Sequence, residues 1–109
     1  MPLPTKLSPQ SAIMRLAPKL ASLTTEVVFG DVWARPELSP RDRSLITVSA
    51  LIALNRTEQL KAHLRIALDN GVTQAELVEQ ITHLAFYAGW LVAMYAITVL
   101  DEVLNPPKP

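Results

Sequence analysis

Most of the chemistry this sequence can do centres on one histidine. His63 lies in TEQLKAHLRIALDN, five residues after Glu58 and two before Arg65. An imidazole titrates near neutrality (unperturbed pKa about 6.5), so His63 is suited to act as the acid or the base of a proton transfer. Arg43, Arg56 and Arg65 are planar cations, each able to hold a carboxylate by a two-pronged contact. Glu58 can orient His63 or exchange a proton itself. Five residues on an ideal helix turn through about 140°. The two therefore share a site only if Glu58 bends inward or a neighbouring subunit completes the pocket. Each also has a plainer reading. A histidine between Leu60 and Leu64 can be structural, and an acid in a first turn stabilises the helix dipole. His83, Tyr87 and Trp90 recur at i, i+4 and i+7, which makes one stripe if a single helix carries them. That stripe reads either as a pocket wall with two hydrogen-bonding groups or as ordinary packing with satisfied polar tips. The spacing of the two histidines matches no local metal motif such as H-E-x-x-H, so no metal is expected.

Composition removes several other functions. The 109 residues contain no cysteine, which excludes a disulfide framework, a thiolate metal site and a cysteine nucleophile together. Ten basic residues balance ten acidic ones, with no basic block to neutralise phosphates, so nucleic acid is not an expected partner. Half the residues are hydrophobic and 18% are charged. A domain of this length leaves much of its surface in water, so the apolar excess must meet lipid or another subunit. The first twenty residues, MPLPTKLSPQSAIMRLAPKL, lack a continuous apolar stretch with a small-residue cleavage site. No signal peptide is expected, and a cytoplasmic location fits.

The elements that position these residues are helices. Residues 1–7 read as a flexible leader, 8–104 as a single helical domain and 105–109 (NPPKP) as a proline-rich tail. Ser8-Pro9 is a cap followed by proline at the first helical position. Ile13, Leu16, Leu20 and Leu23 keep helical spacing, interrupted by Pro18, which predicts two short helices or one kinked one. Residues 30–38 form a connection. Ser39-Pro40-Arg41-Asp42 starts a helix running to Leu54, with Asn55 as a left-handed terminator. Arg41, Asp42 and Arg43 read as its solvated first turn, with Arg43 available for an interface ion pair. Thr57 caps the next helix, whose Leu60, Leu64, Ala67 and Leu68 form one stripe and which stops at Gly71. Thr73-Gln74-Ala75-Glu76 is a full capping box, and Leu77, Ile81, Leu84 and Ala85 follow at core spacing. Gly89 predicts a break between helices over 73–88 and 90–104. The sum is five or six helices and an all-α fold.

Residues 80–100, QITHLAFYAGWLVAMYAITVL, carry no charge if His83 is neutral. About 20 mostly apolar residues suffice to cross a bilayer. Against a span stand the capping box upstream, the polar Gln80, Thr82 and His83, and the absence of flanking Lys/Arg clusters. The mainly apolar part is only residues 84–100. The stretch is read as buried between helices of this chain and of a partner subunit.

LSPRDRSLITVSALIAL, followed by NRTEQLKAHLRIALDNGVTQAELVEQITHLAFYAGW, resembles the carboxymuconolactone decarboxylase family, which also holds AhpD-like alkylhydroperoxidases. The likeness covers about residues 26–104 and is carried by LSPRDR, by the Glu58, His63, Arg65 run, by ALDNGVT-x-x-E and by AFYAGW. It implies an AhpD-like all-helical subunit in a homo-oligomer, often a trimer or hexamer. The peroxidase branch has a glutamate and a C-x-x-C-x-x-x-H set whose positions fall here on Ser44, Arg56, Gln59 and His63. Only the histidine remains, and without a thiolate a thiol peroxidase activity is not expected. The decarboxylase branch removes CO2 from a lactone bearing carboxylates, reprotonates the resulting dienolate and needs no cofactor. The resemblance implies His63 and Glu58 as catalytic residues there. Arg43, Arg56, Arg65, His83, Tyr87 and Trp90 are the candidate substrate contacts. A non-catalytic oligomeric small-molecule-binding module on the same fold is the alternative. Two positions depart from the family pattern: Leu91 where proline is common after AGW, and Tyr95 where a small or polar residue is usual.

Overall fold

The computed structural model describes residues 9–108, with side chains from Ala12 onward. The expected leader, the Ser8 cap and the last residue of the tail lie outside the described residues. The chain divides into two compact units between Glu37 and Leu38.

The first unit contains α1 (Pro9–Leu16) and α2 (Pro18–Leu23). Pro18 separates them as expected, and Ala17 between them leaves helical geometry at φ −137°. The chain continues as a wide π-helical turn, Thr24–Phe29, and a short 3-10 turn, Val32–Ala34. The wide turn was not foreseen from spacing. Thr24 and Thr25 donate their hydroxyls to the carbonyls of Leu20 and Ala21, four residues back (2.9 and 3.4 Å). Such back-bonding competes with the regular ladder.

The second unit is a four-helix bundle: α3 (Pro40–Ala53), α4 (Thr57–Asp69), α5 (Gln74–Leu84) and α6 (Trp90–Leu104). Local chemistry sets most of its boundaries. The Ser39 hydroxyl accepts from the Asp42 amide at 3.0 Å, with Pro40 in the first turn. Asn55 takes the left-handed conformation (φ 55°) that ends α3. Thr57 is the first residue of α4 rather than its cap. Arg56 holds the cap position and makes no side-chain capping bond. At the start of α5 the Thr73 hydroxyl accepts from the Glu76 amide, and the Glu76 carboxylate accepts from the Thr73 amide. This helix stops at Leu84, four residues before the expected boundary. Gly89 (φ 122°) then breaks the chain ahead of α6.

Side chains reveal how the helices run. Ser44 near the start of α3 accepts from Asn70 just past the end of α4, so the two are antiparallel. Arg41 pairs with Glu76, and Gln80 donates to the Leu45 carbonyl and to Ser49, so α5 runs with α3. Arg41 is thus an inter-helix clasp and not merely part of a solvated first turn. α6 packs against α4 and α5 and touches α3 only lightly. The ring order is α3, α4, α6, α5.

Val48 and Ile52, Leu60, Leu64 and Ala67, Val72, Leu77 and Ile81, and Ala93, Ala96, Val99 and Leu100 form one buried core. Leu45, Leu68, Leu84 and Ala85 pack at its edge. Burying a leucine or isoleucine side chain stabilises by about 1.5–3 kcal/mol, so this core holds the bundle. The uncharged 80–100 stretch is only partly buried within the chain. Ile81, Ala93, Ala96, Val99 and Leu100 face inward, while Phe86, Tyr87, Trp90, Leu91, Met94 and Tyr95 are exposed. Among the described residues no helix is long and apolar enough to cross a membrane.

Candidate active site

α4 is unbroken from Thr57 to Asp69, so helical phase decides which of its candidate residues can meet. Glu58 and His63 are about 140° apart and Arg65 is about 200° from His63. Glu58 and Arg65, seven residues apart, share one flank. His63 is on the other flank, and Arg56, at φ −93° and ψ 73°, precedes the helix and is outside its phase. The Glu58 flank turns toward α6, where Glu58 lines a groove of about 270 Å³ with Thr57, Lys61, Tyr95, Thr98, Val99 and Glu102. Lys61 Nζ lies 3.7 Å from Glu102 Oε2 across it. His63 does not line this groove. It lies seven residues before Asn70, on the flank where Asn70 reaches α3.

Along that seam between α3 and α4 the chain places three of the expected residues. His63 is half-buried, with its Nδ1 shielded from solvent. Burial lowers its pKa below the ordinary 6.5, because a low-dielectric surrounding penalises the imidazolium. Burial thus favours the neutral ring. Arg43, on α3, is half-buried with its Nε shielded. Its phase on α3 is the flank next to α4. Arg56 is exposed at the head of α4. The two cations stand toward opposite ends of the seam, with the imidazole between them. Ser44, at the position where the peroxidase branch has its glutamate, is 1% exposed and its hydroxyl is used by Asn70 at 3.0 Å.

His83, Tyr87 and Trp90 belong to the opposite side of the bundle. Because α5 stops at Leu84, they do not form one stripe. His83 and Tyr87 stack (ring centroids 4.7 Å, 25°), and both are exposed. Trp90 turns to Phe86, edge to face at 6.1 Å. Trp90 and Phe86 border an apolar groove of about 450 Å³ between α5 and α6. Of the two departures from the family pattern, Tyr95 lines the Glu58 groove and Leu91 lines neither. The seam polar contacts Arg41–Glu76, Ser44–Asn70 and Gln80–Ser49 had no signal in local spacing, since their partners are 26–35 residues apart. Among the described residues no group of three or more His, Asp or Glu side chains could hold a metal ion.

The fold and site define a cysteine-free, all-helical bundle with a half-buried histidine on the flank of α4 that faces α3. The sequence pattern of the carboxymuconolactone decarboxylase family matches residues 18–102, and the chain belongs to that family. It is 44% identical over 77 residues to a 4-carboxymuconolactone decarboxylase of Acinetobacter baylyi, a match covering 71% of this chain and 58% of that protein. It is 37% identical over 83 residues to the nitrosuccinic acid decarboxylase npaB of Metarhizium robertsii, covering 76% of this chain and 58% of that protein. The chain thus spans a little over half the length of the curated relatives it matches.

Proposed function

We propose that this chain is a carboxy-lyase that removes CO2 from a small carboxylated lactone or ring compound without a cofactor, with His63 as the proton carrier. A cytoplasmic place in the catabolism of aromatic compounds is part of this reading. The observation that supports it is the half-buried His63 on the α3-facing flank of α4, whose pKa burial lowers, with Arg43 on the facing flank of α3. The two relatives support the reaction class, since both are named for decarboxylation, of 4-carboxymuconolactone and of nitrosuccinic acid.

The chemistry follows from the charges. A carboxylated substrate is an anion, and an arginine of the seam gives it a two-pronged hold. An anion beside the imidazole raises the ring's proton affinity, so binding loads His63 with a proton. When the carbon–carboxyl bond breaks, CO2 leaves without the bonding pair. The pair stays on carbon, is delocalised into the adjoining carbonyl, and takes the proton from the imidazolium. General acid–base catalysis of this kind contributes about 10²–10⁴-fold.

Glu58 and Arg65 lie on the other flank of α4, and His83, Tyr87 and Trp90 lie across the bundle. In this reading they reach a ligand at His63 only from a neighbouring subunit, in a homo-oligomer such as a trimer or hexamer. The separation of Glu58 from His63 within one chain favours a second reading, a non-catalytic module that binds small carboxylates. Incubation with 4-carboxymuconolactone separates the two. The lyase releases CO2 with loss of substrate absorbance, and His63→Ala abolishes turnover while circular dichroism and particle mass stay unchanged. Carboxylate binding by calorimetry with no CO2 released would replace the lyase with the binding module.

A further inference from the structure

α3 carries the hydroxyls of Ser44, Thr47 and Ser49, and two of them are taken. Ser44 accepts from Asn70 beyond α4, and Ser49 accepts from Gln80 of α5. Thr47 is half-buried, yet among the described residues its hydroxyl makes no hydrogen bond. Other helical threonines of this chain behave differently. Thr24, Thr25, Thr82 and Thr98 each turn the hydroxyl back onto the carbonyl four residues earlier, at 2.9, 3.4, 2.7 and 3.0 Å. A sheltered hydroxyl without an internal acceptor keeps its proton for something that enters from outside.

Phase and register place this hydroxyl. Arg43, Thr47 and Leu51 recur every four residues, all half-buried, beside the buried stripe of Ser44, Val48 and Ile52. Leu45 and Ser49 mark the opposite side of that stripe, because Gln80 of α5 reaches them. The Arg43–Thr47–Leu51 row therefore borders α4. The Ser44–Asn70 bond sets the register of the antiparallel pair. Seven residues back from Asn70 is His63, and seven residues on from Ser44 is Leu51, so these two stand at one level. Thr47 is then about one turn from the level of His63 and about one turn from Arg43, roughly 6 Å along the axis in each direction. A free donor thus stands between the guanidinium and the imidazole.

We propose that Thr47 is a further catalytic residue, whose hydroxyl donates a hydrogen bond to the substrate carbonyl oxygen that takes up negative charge as CO2 leaves. This role rests on the carboxy-lyase reading above. The electron pair released by the breaking carbon–carboxyl bond runs into the adjoining carbonyl, and its oxygen is an enolate oxygen until the carbon is reprotonated. A donor aimed at that oxygen binds the transition state more strongly than the ground state, which is the condition for raising kcat. Thr47 keeps its proton throughout. The imidazolium of His63 supplies the proton that reaches carbon, so one C–C bond breaks, one C–H bond forms and the threonine O–H is unchanged. In this arrangement Arg43 holds a carboxylate, Thr47 the carbonyl oxygen and His63 serves the carbon.

Thr47→Val keeps the side-chain shape and removes the hydroxyl, whereas Thr47→Ser keeps the hydroxyl. With 4-carboxymuconolactone as substrate, Thr47→Val should lower kcat by about 10²-fold, the scale of losing one oxyanion donor. KM should change little, the signature of a contact made only in the transition state. Thr47→Ser should recover most of the loss. Thr47→Ala serves as a second hydroxyl-free variant in case valine crowds the seam. Helicity by circular dichroism should match the wild type in all three. An unchanged kcat in the hydroxyl-free variants overturns the role of Thr47 alone. So does a loss confined to KM, or a loss that Thr47→Ser shares in full. A wild type that releases no CO2 overturns the carboxy-lyase reading, and this role with it.

Discussion

The two ends of α5 are held by opposite means. At its N-terminal end nearly every polar group has a partner. Glu76 accepts from the Thr73 amide with one oxygen and from Arg41 with the other. One turn on, Gln80 donates at 2.7 Å to the Leu45 carbonyl and at 2.8 Å to Ser49. At the C-terminal end Thr82 bonds only back within the helix, to the Val78 carbonyl at 2.7 Å, and Phe86, Tyr87 and Trp90 stand in the open. The first end fixes α5 against α3 by directional bonds that specify register. The second ends in apolar surface, which is attracted to any matching surface and acquires specificity only from shape. A helix anchored at one end and apolar at the other is fitted to hold its own bundle and offer a contact to something else.

Substitutions can break this contrast in graded steps. Leu77→Ala, at a position with no solvent exposure between the two ends, should cost about 2–5 kcal/mol, read as a shift of the urea midpoint at constant slope. Gln80→Ala removes two half-buried hydrogen bonds and leaves the Leu45 carbonyl and Ser49 to water, at a cost of about 1–3 kcal/mol. Thr73→Ala deletes the cap and should cost about 1 kcal/mol.

Acid should act on the same end. The Thr73 amide, together with Arg41, lowers the Glu76 pKa from the ordinary 4.5 to about 2. The folded carboxylate binds its proton less readily than the unfolded one. Its stabilising effect is therefore complete above pH 4.5 and is lost as the pH falls toward 2. Glu76→Gln should flatten that part of the stability-versus-pH curve, measured by urea unfolding at each pH. The smallest effect belongs to the open end. Tyr87→Ala, exposed and stacked on His83, should change subunit stability by no more than about 0.5 kcal/mol. A large loss there would show that the C-terminal end is held from within the chain.

How much of this was legible in the sequence depended on distance along the chain. Ser39 and Thr73 were readable as caps because each bonds an amide three residues away. Asn55, Gly71 and Gly89 were readable as stops because a left-handed residue is a local requirement, met here at φ 55°, 97° and 122°. The clasp between Arg41 and Glu76 was not, because each charge alone has a sufficient local explanation as a first-turn residue. At the site, the angle between Glu58 and His63 followed from counting. Which neighbour each flank faces did not, because that depends on the ring order of the helices.

Gly89 decides more than where a helix ends. Had residues 74–104 formed one uninterrupted helix, the uncharged run from Gln80 to Leu100 would measure about 31 Å at 1.5 Å per residue, matching the hydrocarbon thickness of a bilayer. A side chain at φ 122° is strained, so the glycine secures the reversal and cuts that rod into pieces, the longest being the 15 residues of α6, or about 22 Å. One missing methyl group thus helps keep a segment of lipid-like composition folded as a corner of the bundle.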